Sequence, residues 1–326
     1  MVVIFGLFLL TLLVITAIAM IRSEGLFSAV MLSGIFSLLM AANFFVLNAA
    51  DVALTEAAVG AGVATVLLLG ALALTPTQEL PGSRRKWLAM IAVVVNVAVI
   101  GYATFHVPLL GDPQAPVHQH VAPWYLENTA ELVGIPNVVT AVLGSFRGYD
   151  TLGEVFVILI AGIGVLFMLS AGRDSLLPKN AEPEIDAGLK HHLIPQVVSH
   201  MIIPFIVLFG LYVQFHADYG PGGGFQAGAI IAAGVILYSV VEGESAALKL
   251  IPPRVLMLLA VSGALLYSGV GVVSMLLGGN FLDYSVLAAD PVAGQHLGLL
   301  LIELGVGLAV TGVLLCIYHA FATRYR

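Results

Sequence analysis

Nine long apolar segments constrain the fold of this chain more than any other feature. Each is about 17 to 25 residues long, the length at which a helix crosses a hydrocarbon layer of roughly 30 Å. Hydrophobic residues make up 60% of the 326 residues, charged residues only 10%, and the mean hydropathy is +1.05, which excludes an ordinary soluble domain. The pattern predicts an all-α integral membrane protein with about nine transmembrane helices, at 1–21, 25–47, 52–74, 87–106, 152–172, 194–216, 224–241, 254–277 and 296–321.

The basic residues indicate how these helices are oriented. Loops on the cytoplasmic side of a membrane collect Lys and Arg. In a nine-helix arrangement, eleven of the twelve basic residues fall on one side of the membrane, and Arg147 alone falls on the other. The N terminus is therefore predicted to lie outside and the C terminus inside. The first segment lacks a basic n-region and a small-residue cleavage site before Arg22, so we expect a retained helix there.

Polar breaks divide the chain into three predicted domains. Residues 1–78 form a three-helix unit that ends in TPTQELPG. Residues 85–173 form a two-helix unit with a long outer loop at 107–151. A polar linker at 174–193 then leads into a four-helix unit at 194–326. We interpret the breaks as junctions between modules that exist elsewhere as separate subunits.

The outer loop contains proline and histidine but no familiar metal-binding pattern. A short helix is predicted near residues 124–133. The three histidines in and beside the loop, His106, His118 and His120, do not follow the spacing of a known zinc site. A solvated or partner-facing loop is the favoured interpretation, and we predict no metal site.

Glu56 lies inside the third apolar segment, within the sequence DVALTEAAVGAG. A carboxylate in hydrocarbon is a functional candidate by default, because nothing there solvates its charge. Residues four apart share one face of a helix, so Glu56 shares its face with Gly60 and other small residues. Small residues let a neighbouring helix approach closely. We therefore expect this carboxylate to face protein and not lipid.

Two further segments carry acids near their predicted outer ends. Asp150 and Glu154 are four residues apart in FRGYDTLGE, where Arg147 could neutralise one of them. Asp150 could instead cap the helix N-terminus, whereas Glu154 falls inside the segment. Glu303 lies about two turns into the last segment, on nearly the same face as His296. For Glu154 and Glu303, a role in ion transport and a role in helix packing both remain open.

The sequence HADYGPGGGFQAG, at 216–228, joins the sixth and seventh segments. Its three successive glycines permit backbone conformations and close approaches that side chains forbid. As a phosphate-binding signal the run is weak, since it has no P-loop lysine, and a tight outer turn is the better interpretation. Before this turn, Tyr212 and His216 are predicted to stack one helical turn apart, and Pro204 is predicted to interrupt the helix.

Together, the acids predict an acidic vestibule on the outer side. Clustered charge beside low-dielectric walls concentrates cations or protons. No Lys or Arg lies in the middle of any predicted helix, so the chain lacks the lysine–glutamate pair of a complete proton relay. The loop acids predicted on this side are Asp51, Asp218, Asp283 and Asp290.

Three of these motifs resemble one family. DVALTEAAVGAG resembles the C-terminal region of the large A-type component of Mrp-type multisubunit cation/proton antiporters, and PNVVTAVLGSFRGYDTLGE, at 136–154, resembles the block that follows it there. HADYGPGGGFQAG is similar to the B-type component of the same complexes. The same modules occur as separate subunits in membrane-bound hydrogenases and sulfane reductases, relatives of respiratory complex I. The resemblance covers nearly the whole chain and implies a fusion of three modules.

The resemblance implies a non-catalytic subunit of a monovalent cation/proton (Na⁺/H⁺) antiporter in the plasma or inner membrane. Its expected partners are other membrane subunits, including large antiporter-like ones. Its expected ligands are Na⁺ or another monovalent cation, protons and lipid, with no cofactor and no nucleic acid. The alternatives are an ion-translocating subunit of a redox enzyme, such as an energy-converting hydrogenase, and a purely structural membrane subunit.

The resemblance also assigns candidate residues. Two further candidates, Glu303 and the structural role of Gly60, are inferred from position alone and not from the resemblance. The motif acids fall on Asp51, Glu56, Asp150 and Glu154, and the third motif falls on His216, Pro221, Gly222, Gly223, Gly224, Phe225 and Gln226.

Overall fold

Long helices account for most of the chain. The structure is a computed structural model that describes residues 2–76, 78, 86–109, 111–170 and 193–323. Within these residues, nine helices are long and apolar enough to cross a membrane, which confirms the predicted all-α membrane fold. The predicted linker at 174–193, apart from Leu193, lies outside the described residues, as do several basic residues used to orient the helices.

Eleven helices of the described residues are numbered in chain order. All of them except α5 and α9 are candidate membrane spans. Their bounds are α1 Val2–Arg22, α2 Leu26–Val46, α3 Ala50–Leu72, α4 Lys86–Thr104, α5 Ala122–Leu132, α6 Gly148–Ser170, α7 Leu193–His216, α8 Gly224–Glu242, α9 Glu244–Leu250, α10 Pro253–Leu276 and α11 Pro291–Ala322.

Two helices begin earlier than their apolar segments do. The short helix predicted in the outer loop is confirmed as α5, but α6 starts four residues before the predicted boundary and α11 starts five before it. The start of α11 is fixed by Asp290, whose side chain accepts a hydrogen bond of 3.0 Å from the backbone N–H of Ala293. Glu303 therefore lies about three turns into its helix instead of two.

The prediction that Pro204 interrupts its helix is wrong. Helix α7 runs without a break from Leu193 to His216, with Pro204 inside it. Proline removes one backbone hydrogen bond, but a membrane helix tolerates it where neighbouring groups satisfy the freed carbonyl. The helix therefore continues through Pro204.

Small residues let the backbones of α8, α10 and α11 touch. Gly263 of α10 lies against the backbone of Gly305 and Ala309 on α11, and Gly312 of α11 lies against the backbone of Ala260. Close approach through small residues is the usual way in which membrane helices associate. These three helices form the buried centre of the four-helix unit, whereas α7 is mostly exposed.

Helix α3 packs against this centre. Val63 of α3 is 1% exposed and belongs to one buried cluster with Ile236 of α8, Leu256 of α10 and Leu315 of α11. Helix α4 differs, because none of its span residues is buried against the described chain. The division into three domains stays a prediction, and the contacts show that α3 packs directly on the last unit.

Candidate functional site

The turn between α7 and α8 brings a helix N-terminus to the side chain of Glu303. Gly223 has a φ of +132°, a backbone conformation that glycine adopts without strain. This conformation aims the N–H of Gly224, the first residue of α8, at the Glu303 carboxylate, which accepts a hydrogen bond through its Oε2 atom. The positive end of a helix dipole interacts favourably with such a group. The glycine run therefore forms the tight turn that its sequence predicts, and it contacts an acid that no motif had assigned.

Close packing of α8 on α11 makes this contact possible. A Cβ atom added at Gly224 would lie 2.7 Å from the backbone nitrogen of Gly307, and one added at Gly228 would lie 2.9 Å from the Gly307 carbonyl oxygen. Contacts this short essentially never occur, so the two helices approach as closely as they do because side chains are missing there. Glycine at these positions thus sets the distance between the start of α8 and Glu303.

Gln226 connects this contact to α3. Its side-chain Nε2 donates a hydrogen bond of 2.8 Å to the hydroxyl of Thr55, the residue before Glu56. The Gln226 Oε1 atom and the Glu303 carboxylate both lie within 3.3 Å of the place where a Cβ of Gly223 would sit. A line of polar groups therefore crosses from α3 through α8 to α11.

Asp51 approaches the same turn from the start of α3. Its Oδ1 atom lies 3.4 Å from the backbone nitrogen of Gly222, which donates to it. The motif acid of the first unit and the glycine motif of the last unit therefore meet. Asp51 and Gly222 are 171 positions apart, so no local sequence pattern predicts this contact.

Glu56 faces α2, in agreement with the expectation that it faces protein. Its carboxylate oxygen and the hydroxyl of Ser37 on α2 fill the space beside Gly60 that a side chain would need. Glu56 is also the first residue of a segment with π-helical hydrogen bonding, Glu56–Val63. Such segments are rare, and they are frequently found at functional sites. Gly60 therefore leaves room for the Glu56 carboxylate, while its structural role and transport through Glu56 stay predictions.

Asp218 and His296 form a second polar pair beside Glu303. The Asp218 carboxylate lies 3.8 Å from His296 Nδ1 and acts electrostatically on Glu303. Burial raises the pKa of Asp218, and the neighbouring His296 partly offsets this rise. The carboxyl group therefore takes up a proton at a higher pH than a free aspartate does.

Residues of the outer loop hold the turn in place. Asn137 donates through its side chain to the carbonyl oxygens of Ala217 and Gly220, at 2.9 Å each, and Thr140 donates to Ala217 at 2.8 Å. These bonds give the PNVVT segment of the loop a structural role that the sequence did not predict. The second unit thereby contributes to the geometry of the site.

Two buried tyrosines complete the surroundings of Glu303. Tyr267 of α10 and Tyr284 of the following loop are both 0% exposed, and their hydroxyls donate to the carbonyls of Gly148 and Gly144. Burial raises the pKa of Tyr284, the hydrogen bond with Tyr267 lowers it, and the charge of Glu303 raises it. The phenol therefore stays neutral and acts as a hydrogen-bond donor.

Several predicted residues lie elsewhere. His216 stacks on Tyr212 with ring centroids 4.8 Å apart, as predicted, and the structure gives it no contact with Glu303. Asp150 pairs with Arg147 at 2.6 Å, and Glu154 is exposed on α6.

The remaining motif and loop residues have local roles. Pro221 is exposed in the turn, and Phe225 packs against the main buried cluster. Asp283 caps a short 3-10 helix through Ser285, and Asp290 caps α11. Of the acids predicted to form the vestibule, Asp51, Asp218 and Glu303 converge. Within the described residues, no group of three or more His, Cys, Asp or Glu side chains is placed to hold a metal ion.

The fold and the site define a polytopic helical membrane protein in which ionisable side chains lie around the turn between α7 and α8. Three family models match it in sequence order: the MBH component MbhD at residues 11–77, the MBH component MbhE at residues 83–177, and the domain related to the MnhB component of Na⁺/H⁺ antiporters at residues 194–316. A putative antiporter protein, mnhB2 of Staphylococcus aureus (strain Newman), is 30% identical over 133 residues, which cover 39% of this chain and 92% of that protein. The chain belongs to the family of Mrp-type Na⁺/H⁺ antiporter subunits.

Two longer proteins match most of the chain. A probable K⁺/H⁺ antiporter protein of the A/B type, from Rhizobium meliloti (strain 1021), is 28% identical over 90% of this chain and 32% of its own length. The solved structure of the Mrp complex from Dietzia sp. DQ12-45-1b superimposes with a TM-score of 0.76 and 27% identity, over 97% of this chain and 34% of the matched one. This chain therefore spans about a third of the length of these two relatives. The match to an Mrp complex confirms the predicted resemblance.

Proposed function

We propose that this protein is a non-catalytic membrane subunit of a multisubunit monovalent cation/proton antiporter and contributes acidic residues to its ion path. The observation that carries the proposal is the line of polar groups from Thr55 through Gln226 to Glu303, which ends on the N-terminus of α8. Such a contact places a carboxylate inside the bundle where protons or cations can be exchanged. The names of the relatives support the antiport assignment.

Several finer points belong to the same proposal. The N terminus lies outside and the C terminus inside, in the plasma or inner membrane of the cell. The chain consists of the three modules at 1–78, 85–173 and 194–326. The large subunits that carry lysine–glutamate relays are separate chains, because no Lys or Arg lies in the middle of a predicted helix of this one. Sodium and potassium are both candidate cations, and lipid fills the exposed apolar grooves between helices.

Replacement of Glu303 by glutamine tests the proposal. In everted vesicles that carry the complete complex, we expect Glu303→Gln to lower the cation-induced dissipation of a proton gradient by tenfold or more, on the order of the loss of one charged hydrogen-bonding group in a transport path. The matched control is Glu131→Gln, which removes an exposed carboxylate on α5. Unchanged transport in Glu303→Gln, at equal levels of assembled complex, would remove the proposal.

The matches to MbhD and MbhE favour one alternative, in which the same modules serve a redox-driven complex. The subunits that co-purify with the chain distinguish the two. Antiporter-like membrane subunits alone support the antiporter. An iron–sulfur or hydrogenase-like subunit supports the redox complex.

A further inference from the structure

A buried acid–histidine pair lies at the end of the four-helix unit opposite to Glu303. Helix α8 ends at Glu242, Gly243 turns the chain with a φ of +87°, and Glu244 begins α9. This turn places Glu244 beside the last turns of α11, where His319 lies. No motif, and no prediction from the sequence, had assigned either residue.

The geometry of the pair is unusual for a packing contact. The His319 Nδ1 atom and the Glu244 Oε1 atom are 3.6 Å apart, and the two side chains are only 6% and 7% exposed. Neither ring nitrogen of His319 makes a hydrogen bond within the described residues. Buried polar groups are nearly always hydrogen-bonded, and the exceptions call for an explanation such as a catalytic role or a bound water or ion.

A second acid–histidine pair lies nearer to the surface at this end. His200 of α7 lies 3.1 Å from Glu242, and Gln196 donates to the same carboxylate at 3.0 Å. The His200 side chain is 49% exposed and that of Glu242 is 17% exposed. The His200–Glu242 pair is therefore more exposed than the Glu244–His319 pair at the same end.

The other ionisable groups at this end lie on the helices that pack around the pair. Tyr318, the neighbour of His319 in α11, lies with its hydroxyl 3.4 Å from that of Ser239 on α8. The remaining groups are Tyr238 of α8, Lys249 of α9, Arg254 of α10 and Cys316 of α11.

We propose that Glu244 and His319 form a proton-exchange site on the side of the subunit opposite to Glu303. Imidazole is the side chain whose charge ordinarily changes between about pH 5 and 8, and a carboxylate beside it can share its proton. The proposal rests on the proposed function, because it assigns the second end of the proton path to this subunit. By the predicted topology this end faces the cytoplasm.

The first test measures proton binding without transport. In infrared difference spectra of the purified complex after a pH step, we expect a carboxyl band from Glu244. The band should be absent in Glu244→Gln, and in His319→Gln it should appear at a different pH. The expected shift is about one pH unit, since the variant removes a titratable neighbour. The matched control is His200→Gln, which removes an exposed histidine at the same end and should leave the Glu244 band in place.

The second test measures the pH profile of antiport in everted vesicles with the complete complex. We expect His319→Gln and Glu244→Gln to move the pH of half-maximal antiport by about one unit, while Glu303→Gln lowers antiport at every pH. A residue with only a structural role would reduce the amount of assembled complex but leave the profile of the remaining complex unchanged.

Three results would overturn the inference. The first is an unchanged infrared band and pH profile in both Glu244→Gln and His319→Gln. The second is a band that His200→Gln removes to the same extent. The third is failure of Glu244→Gln and His319→Gln to assemble, which would assign the pair to folding. Failure of the proposed function is a different result, in which Glu303→Gln leaves transport intact while the infrared band of Glu244 still titrates.

Discussion

The glycine at the start of α8 offers the sharpest test of how the site is built. Gly224→Ala adds a single methyl group where α8 meets α11. That Cβ would lie 2.7 Å from the backbone nitrogen of Gly307 and 2.8 Å from the Cβ of Val306, and it would also meet the carbonyl of Glu303. Two of these three atoms belong to the backbone, so they cannot yield by rotation of a side chain. The helices must separate, or α8 must shift along α11.

The expected effect follows from three contributions. Overpacking of a close helix contact costs about 1 to 3 kcal/mol. Weakening the hydrogen bond between Gly224 and the charged Glu303 costs about a further 1.5 to 3 kcal/mol. Alanine recovers at most about 1 kcal/mol of helix propensity relative to glycine. The net destabilisation is therefore about 1.5 to 6 kcal/mol.

Thermal unfolding of the detergent-solubilised complex, followed by fluorescence-detected size exclusion, measures this loss, and the vesicle assay measures antiport per assembled complex. We expect Gly224→Ala to lower both. Gly269→Ala on α10 is the matched control, because a Cβ at this position meets no atom within 4 Å. If Gly224→Ala unfolds at the same temperature as the control and transports equally well, then close approach of α8 to Glu303 does not shape the site.

Two further predictions address the polar line and the topology. Thr55→Val and Gln226→Leu should show a coupling energy of about 0.5 to 1.5 kcal/mol in a double-mutant cycle on stability, whereas purely additive effects would show that their hydrogen bond contributes nothing. In a Cys316→Ser background, a membrane-impermeant maleimide should label Gln114→Cys in right-side-out membranes and Lys249→Cys in everted ones. The reverse labelling would overturn the predicted orientation.

Much of the fold could be predicted because hydropathy reports directly on the membrane as a solvent. A helix in hydrocarbon needs an apolar stretch of fixed length, so the number and type of the elements follow from the sequence. The apolar segments do not reach the starts of α6 and α11. Polar residues such as Tyr149 and Gln295 lie inside these helices before the apolar segments begin. At these ends the start is set by local hydrogen bonds such as the Asp290 cap and not by hydropathy.

The site could be predicted only in part, because its contacts join distant parts of the chain. Glu303 was found from its position in hydrocarbon, but its partner Gly224 lies 79 residues away, and Gln226 reaches Thr55 across 171. Such pairs depend on how helices pack, which no local pattern records. Capping roles were missed as well, since Asp283 and Asp290, predicted only as vestibule acids, each cap a helix.

The two proposed proton sites lie far apart on α11. Glu303 and His319 are sixteen residues apart on that helix, which corresponds to about 24 Å. Between them, the polar side chains of α11 are Thr311, Cys316 and Tyr318, and Thr311 donates to the Gly228 carbonyl. A proton moving between the two sites therefore has few polar groups to follow along α11 itself.

The interface between α2 and α3 provides more polar groups at membrane depth. Glu56 and Ser37 meet beside Gly60, and Thr65 lies against Gly34 further along the same two helices. This interface begins at Thr55, the end of the polar line that starts at Glu303. If protons pass through this subunit, the route consistent with these contacts leaves Glu303 through Gln226, follows α3, and returns towards Glu244 and His319 at the other end. A neighbouring subunit or water must complete it, since the polar groups of α2 and α3 are not continuous with that pair.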